Sequence, residues 1–198
     1  MQVSHLTRVC ISTATKGNMR AESVAWLLGA FVQMAPDVEW LPVVDRRPLE
    51  HARNLQVLRF LETRCTHLYL LDADCVPQDG TVQRLLGHGL PIVAAPHATR
   101  IGNETGLMVL DSNNGQGYVQ HRPTEGLQRA DAVGASGLLV RRDVFERLGP
   151  PWFACEYDER GLLSRSEDFG FCERAREAGY EIWCDCGVAQ THFVEDAI

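Results

Sequence analysis

Asp72 and Asp74 stand one alanine apart, directly after His67-Leu68-Tyr69-Leu70-Leu71, a run that is apolar beyond its histidine. A continuous apolar run is what a strand buried on both faces requires. In open α/β sheets, ligands bind beyond the carboxyl ends of such strands. Two carboxylates one residue apart on the following turn can both reach a hard divalent cation. Asp also serves in plain turns, where its side chain bonds nearby backbone N–H groups. The buried strand in front of the pair favours metal over that reading. A second acidic pair, Glu167-Asp168, follows Ser166 at the start of an expected helix. First-turn acids stabilise a helix dipole, and the same dipole favours the ionised carboxylate that a general base must be.

The elements around these residues alternate in type. Residues 8–12 read as a buried strand, 13–18 as a polar loop, and 19–33 as a helix with Val24, Leu27, Leu28 and Phe31 on one face. Residues 38–44 read as a second strand closing on Asp45, and 49–64 as a helix with Ala52, Leu55, Leu58 and Leu61 at helical spacing. Further strands are expected at 67–71, 91–95, 138–140 and 181–185, and helices at 81–87, 143–148 and from Ser166 to before Gly179. Residues 100–129 are rich in Gly and Asn and read as a meander of short strands, including 107–110 and 118–120. Gly149-Pro150-Pro151 is a firm break. Strands alternating with helices predict an α/β fold with a mainly parallel sheet flanked by helices.

Composition bounds the function. The 198 residues, 45% hydrophobic and 23% charged, suffice for one sizeable core and argue against disorder or a rod. No apolar stretch approaches the ~20 residues of a membrane span. Seven cysteines without a framework spacing predict reduced thiols and a cytoplasmic protein. The net charge of −7 arises wholly after residue 149, where 11 acidic residues face 4 basic ones. A general nucleic-acid footprint is therefore not expected.

The order of the motifs resembles glycosyltransferase family 2 and related enzymes of the GT-A fold. His51-Ala52-Arg53-Asn54 precedes the D-x-D strand; Gly134-Ala135-Ser136-Gly137 and Leu138 to Arg142 precede a helix; Ser166-Glu167-Asp168-Phe169-Gly170-Phe171-Cys172 opens another, and His192 follows late. The resemblance spans nearly the whole chain. It implies one GT-A domain, with residues 1–99 as the nucleotide-sugar half and 100–198 as the acceptor and catalytic half. It implies that Asp72 and Asp74 hold Mn²⁺ or Mg²⁺ on the donor diphosphate and that His192 completes the metal site. Asp168 is then the base, with Glu167 sharing or taking that role. Thr13 and Asp45 fall where the nucleoside is held, Arg53 and Asp72 near the nucleotide. The implied reaction is sugar transfer from a nucleotide sugar, a UDP-sugar, to a hydroxyl acceptor: a glycan, a small molecule or, in small phage-type members, hydroxymethylated DNA.

Other readings stand beside this one. Asp72-Ala73-Asp74-Cys75-Val76 also fits the D-x-D-x-[TV] string of haloacid-dehalogenase phosphatases, although two strand–helix units precede it here. A non-catalytic sugar-nucleotide binder is a third class. Cys184, Cys186 and His192, with Cys172 or Cys155, could hold zinc at an uncommon spacing, but free buried cysteine is the favoured reading. Arg53 could lie on a solvated helix face; Arg46-Arg47 and Arg141-Arg142 read as solvated charge. If Arg53 instead meets the donor phosphates, Arg53→Ala should weaken donor binding and leave the fold intact, with Leu55, Leu58 and Leu61 carrying the packing.

Overall fold

The computed structural model describes residues 7–101, 104–112, 117–121 and 125–193. The chain opens with β1 (Val9–Thr15), α1 (Ala21–Met34), β2 (Val38–Val44), α2 (Leu49–Glu62) and β3 (His67–Asp72). After one turn come β4 (Cys75–Val76), α3 (Thr81–Gly87) and β5 (Ile92–Ala94). Short strands follow: β6 (Ala98–Ile101), β7 (Glu104–Leu107), β8 (Val109–Ser112), β9 (Tyr118–Gln120), β10 (Leu127–Ala130) and β11 (Ala132–Val133). The last part comprises β12 (Leu138–Arg141), α4 (Arg142–Leu148), β13 (Glu156–Tyr157), β14 (Leu163–Arg165), α5 (Glu167–Glu177), β15 (Ile182–Asp185) and β16 (Thr191–His192).

Seven strands form the central sheet in the order β10-β15-β5-β12-β3-β1-β2. β1, β2, β3, β5 and β15 run one way, and β12 and β10 oppose them. β12 lies between β3 and β5, so strands from residues 1–99 and 100–198 interleave. β3 divides the core by its two-residue period. Leu68 and Leu70 pack with Phe60 of α2, Phe145 of α4 and Phe171 of α5. Tyr69 and Leu71 pack with Trp26 and Leu27 of α1 and Val82 and Leu85 of α3. All four strand residues are fully buried, which is why the sequence there is apolar without alternation. Removing one such aromatic ring costs about 3–5 kcal/mol.

Two helices are rotated from their expected faces. α1 buries Ser23, Trp26, Leu27 and Ala30, while Val24 and Leu28 are exposed. Polar anchors set that rotation: Ser23 Oγ donates to the carbonyls of Ala73 and Cys75, each at 3.1 Å, and Trp26 Nε1 donates to Gln78 O at 3.1 Å. α2 buries Ala52, Arg53, Gln56, Val57 and Phe60, and Leu58 is exposed. Arg53 is only 2% exposed, so the solvated-face reading is wrong, and Leu58 does not carry packing. Arg142 is likewise no solvated charge. It donates to the carbonyls of Phe60 and Thr63 at 3.1 and 2.8 Å, closing the C-terminal end of α2. β1 also runs through Thr15, past the expected loop start at Thr13, because its pairing with β2 continues to Val44.

One buried carboxylate ties the sheet to α3. Asp185, at the end of β15, is fully buried and accepts from Arg84 Nε and Nη2 (2.7 and 2.9 Å), His88 Nε2 (2.8 Å) and Gly187 N (3.0 Å). Burial alone would raise its pKa; Arg84, His88 and the Gly187 amide outweigh it and hold the carboxyl below its ordinary value. A depressed carboxylate adds stability above its unfolded pKa and loses it as pH falls through the folded one. Asp185→Asn should therefore lower Tm at pH 7 by roughly 4–8 °C, from about 2 kcal/mol of charge-assisted bonding. Thermal melts should find that gap closing below about pH 4.

Candidate active site

The D-x-D turn is pinned from four directions. The Asp72 amide donates to Ser136 Oγ at 3.1 Å. The Ala73 carbonyl accepts from Ser23 Oγ (3.1 Å) and the Arg20 amide (3.4 Å), and the Asp74 carbonyl accepts from the Phe193 amide at 2.9 Å. β4 continues from the turn and pairs antiparallel with β16, setting Cys75 opposite His192. That pairing carries a residue from the end of the chain to the turn. His192 Nε2 lies 3.6 Å from Asp74 Oδ2.

The two aspartates have different partners. The Arg53 guanidinium reaches both oxygens of Asp72, Nη2 to Oδ1 at 2.7 Å and to Oδ2 at 2.9 Å. Burial opposes the Arg53 charge; Asp72, then Glu167 and Asp168, more than offset it, and its pKa is raised. Those four residues therefore share one electrostatic neighbourhood. Asn54, the next residue on α2, accepts from the Trp152 and Phe153 amides at 2.9 and 3.2 Å and donates to the Phe153 carbonyl at 2.6 Å. It fixes the segment leading to the β13–β14 hairpin and α5. In three successive residues, Ala52 thus lines the cleft, Arg53 pairs with Asp72 and Asn54 anchors the chain before Glu167.

A cleft of about 920 Å³ opens beyond β1, β2 and β3. Asp45, Asp72, Asp74 and His192 all line it. Its cations are Lys16, Arg20, Arg46 and Arg47. Asp45 holds a left-handed conformation, φ 50°, at the end of β2, which is uncommon for a residue with a Cβ. Thr13 lies elsewhere: it is fully buried and accepts from Trp40 Nε1 at 2.9 Å, while Thr15 reaches the cleft. The Arg20 guanidinium sits 4.1 Å from the Phe193 ring centre.

Glu167 and Asp168 are not among the residues that line that cleft; both act electrostatically on Arg53. Glu167 is 7% exposed. Burial, with Asp168 alongside, raises its pKa against the pull of Arg53. Asp168 Oδ1 accepts from Ser166 Oγ and from the Phe169 amide at 2.9 Å. Ser166 thus precedes the helix as expected, yet its hydroxyl serves Asp168 and caps no backbone amide.

For a cation, the donor chemistry fits Asp74 and His192. The described residues bring Asp74, Cys75 and His192 together, one ligand atom of each within 4.8 Å of the others. His192 Nδ1 is buried with no partner. Burial pushes the Cys75 thiol up to about 12, so a hard ion meets only the carboxylate and the imidazole. Cys184 and Cys186 do not join His192 in any such group among the described residues. The rival zinc site on those cysteines is not assembled: both are free thiols, and β16 carries His192 to Asp74.

Sequence reasoning missed His97. Its ring stands edge-on to His192, centroids 5.1 Å apart. Burial and then His192 lower its pKa, which keeps it neutral. A Cβ on Gly134 would fall 2.5 Å from His97 Cε1, so the glycine makes room for this ring. Ser23 and Ser136 were also missed. A single serine carries no signal in sequence until the turn it holds is known.

No protein-family model and no curated protein matches this sequence. Solved structures do match by shape. A197 from STIV superposes with a TM-score of 0.68 at 17% identity, over 96% of this chain and 87% of that one. S. aureus TarS 1-349 in complex with UDP-GlcNAc gives 0.58 at 10% identity, over 97% of this chain and 60% of its own. GalNAc-T7 with UDP, GalNAc and Mn²⁺ gives 0.55 at 12% identity, over 97% of this chain and 45% of its own. The chain thus spans 60% or less of the latter two proteins. The architecture is the GT-A fold, a Rossmann-like α/β sandwich.

The ion pair and its acidic neighbour respond to substitution in opposite senses. Arg53→Ala strips Asp72 of its partner inside the protein, so it should cost about 3 kcal/mol and lower Tm by roughly 6–12 °C. The fold does not tolerate that change silently, and Arg53→Met with Asp72→Asn should melt above Arg53→Ala. Glu167 gives the opposite sign. A carboxyl with a raised folded pKa loses stability as pH rises from its unfolded value through its folded one, and the loss is complete above the latter. Glu167→Gln should therefore raise Tm at pH 8, with the gain shrinking as pH falls in matched melts.

Proposed function

We propose that the chain is a cation-dependent glycosyltransferase that moves a sugar from a nucleotide sugar, a UDP-sugar, to a hydroxyl acceptor. The observation that carries this reading is the pairing of β4 with β16. It sets Asp74 and His192 together in a cleft that also holds Lys16, Arg20, Arg46 and Arg47. A nucleoside diphosphate matches that charge. Among the neighbours in shape, TarS is described with UDP-GlcNAc, and GalNAc-T7 with UDP, GalNAc and Mn²⁺.

In this reading Asp74 and His192 hold Mn²⁺ or Mg²⁺, and the cation neutralises the charge that builds on the leaving diphosphate. Arg46 and Arg47 offer bidentate phosphate contacts. Asp45 and Thr15 line the cleft where a nucleoside would lie. Asp72 does not act alone. Held by Arg53, it is a fixed acceptor that orients a donor hydroxyl or a metal-bound ligand. That same ion pair speaks against the phosphatase reading, since a nucleophilic Asp72 would have to leave a buried guanidinium.

Asp168 is the base in this reading. Ser166 and the Phe169 amide both bond Oδ1, which leaves Oδ2 to take the acceptor proton. Glu167 suits the role less, because burial favours its protonated form. An acceptor hydroxyl becomes nucleophilic only as a positioned carboxylate removes its proton, an effect of about 10²–10⁴-fold. An asparagine side chain in place of Asp168 retains an amide oxygen that can accept both Oδ1 bonds. Asp168→Asn should therefore keep Tm and donor binding and lose transfer by about 10²–10⁴-fold.

The experiment is a panel of nucleotide sugars with Mn²⁺, screened against glycan, small-molecule and hydroxymethylated-DNA acceptors. Product should form with at least one UDP-sugar and vanish in Asp168→Asn. Metal-dependent donor binding without turnover across the panel would leave a sugar-nucleotide binder. Near-normal transfer in Asp168→Asn would move the base to Glu167.

A further inference from the structure

Cys75 has no part in the reaction just described, yet it faces the same two donors. It is the direct cross-strand partner of His192 in the β4–β16 pair. Side chains directly opposite in an antiparallel pair point to the same face, with Cβ atoms about 4.5–5.5 Å apart. Asp74 precedes Cys75 on the turn, and its carboxylate lies 3.6 Å from His192 Nε2. One ligand atom from each of the three lies within 4.8 Å of the others. The set is one carboxylate oxygen, one thiol sulfur and one imidazole nitrogen.

We propose that Asp74, Cys75 and His192 form an inhibitory zinc site superimposed on the site of the activating cation. Hard ions gain nothing from sulfur; Zn²⁺ binds thiolate, imidazole and carboxylate together, with a fourth position for water. The backbone holds the site ready: Ser23 Oγ bonds the Cys75 carbonyl at 3.1 Å, and the Phe193 amide bonds the Asp74 carbonyl at 2.9 Å. Cys75 is 1% exposed, and Asp74 and His192 supply the other ligand atoms beside it. As the zinc–sulfur bond forms, the S–H bond breaks and one proton passes to the buffer; no electron is transferred. Zn²⁺ then occupies both donors that the activating cation needs. The inhibition rests on the transferase reading, whereas the site itself does not.

The test is made on the whole chain without nucleotide. Co²⁺, used as a visible stand-in for Zn²⁺, should give a thiolate-to-cobalt charge-transfer band in the wild type. Cys75→Ser and Cys75→Ala should each abolish the band. Competition with a chromophoric chelator should find Zn²⁺ affinity falling by about 100-fold or more in both variants, at least the loss seen on removing an outer partner of a metal ligand. Calorimetry in buffers of different ionisation heat should detect about one proton released per Zn²⁺ by the wild type and fewer by either variant. A Co²⁺ complex without the band, a band that persists in the Cys75 variants, or unchanged Zn²⁺ affinity would overturn the site. If the band and the affinity loss are found while no UDP-sugar is turned over, the zinc site stands and the transferase reading fails.

Discussion

The site depends on one buried ion pair, Arg53 with Asp72. A guanidinium 2% exposed to solvent cannot shed its proton, so it must be matched by fixed negative charge. Asp72 supplies that charge at the end of β3. Asp72 lines the cleft, and Arg53 feels both Asp72 and the acids at the start of α5. The rotation of α2, the exposure of Leu58 and the place of Asn54 all follow from turning Arg53 inward.

The structure divides the chemistry by side. Cationic side chains and the Asp74–His192 pair gather in the cleft, whereas Glu167 and Asp168 are not among its lining residues and are coupled to Arg53. Burial and a like charge push Glu167 towards its neutral form, while Asp168 is steadied through one oxygen by Ser166 and the Phe169 amide. Two adjacent carboxylates thus receive different environments from the same helix turn. His97, wedged between Gly134 and His192, adds a neutral ring against one donor and restricts its orientation.

Local patterns were legible in the sequence because they arise locally. The apolar run before Asp72 marked β3, the alternation of elements marked the fold class, and Ser166 marked the start of α5. What the sequence hid was non-local. β12 enters the sheet between β3 and β5 against their direction, and nothing in Leu138 to Arg141 encodes a neighbour. Two-residue strands such as β4 and β16 are too short for any period, yet their pairing places His192. The faces of α1 and α2 were misjudged because counting apolar residues ignores polar anchors: Ser23 and Arg53 lie inward and Val24, Leu28 and Leu58 outward. Arg142 resembled surface charge because carbonyls at a helix end leave no trace in sequence.

In the proposed function this cleft binds a nucleoside diphosphate through a divalent cation held by Asp74 and His192. UDP titrated into the wild-type protein by calorimetry, with Mn²⁺ and then with EDTA, is the decisive measurement. Binding should be saturable with Mn²⁺, collapse in EDTA and not be restored by Mn²⁺ in Asp74→Ala. Equal UDP affinity in Mn²⁺ and in EDTA would contradict it.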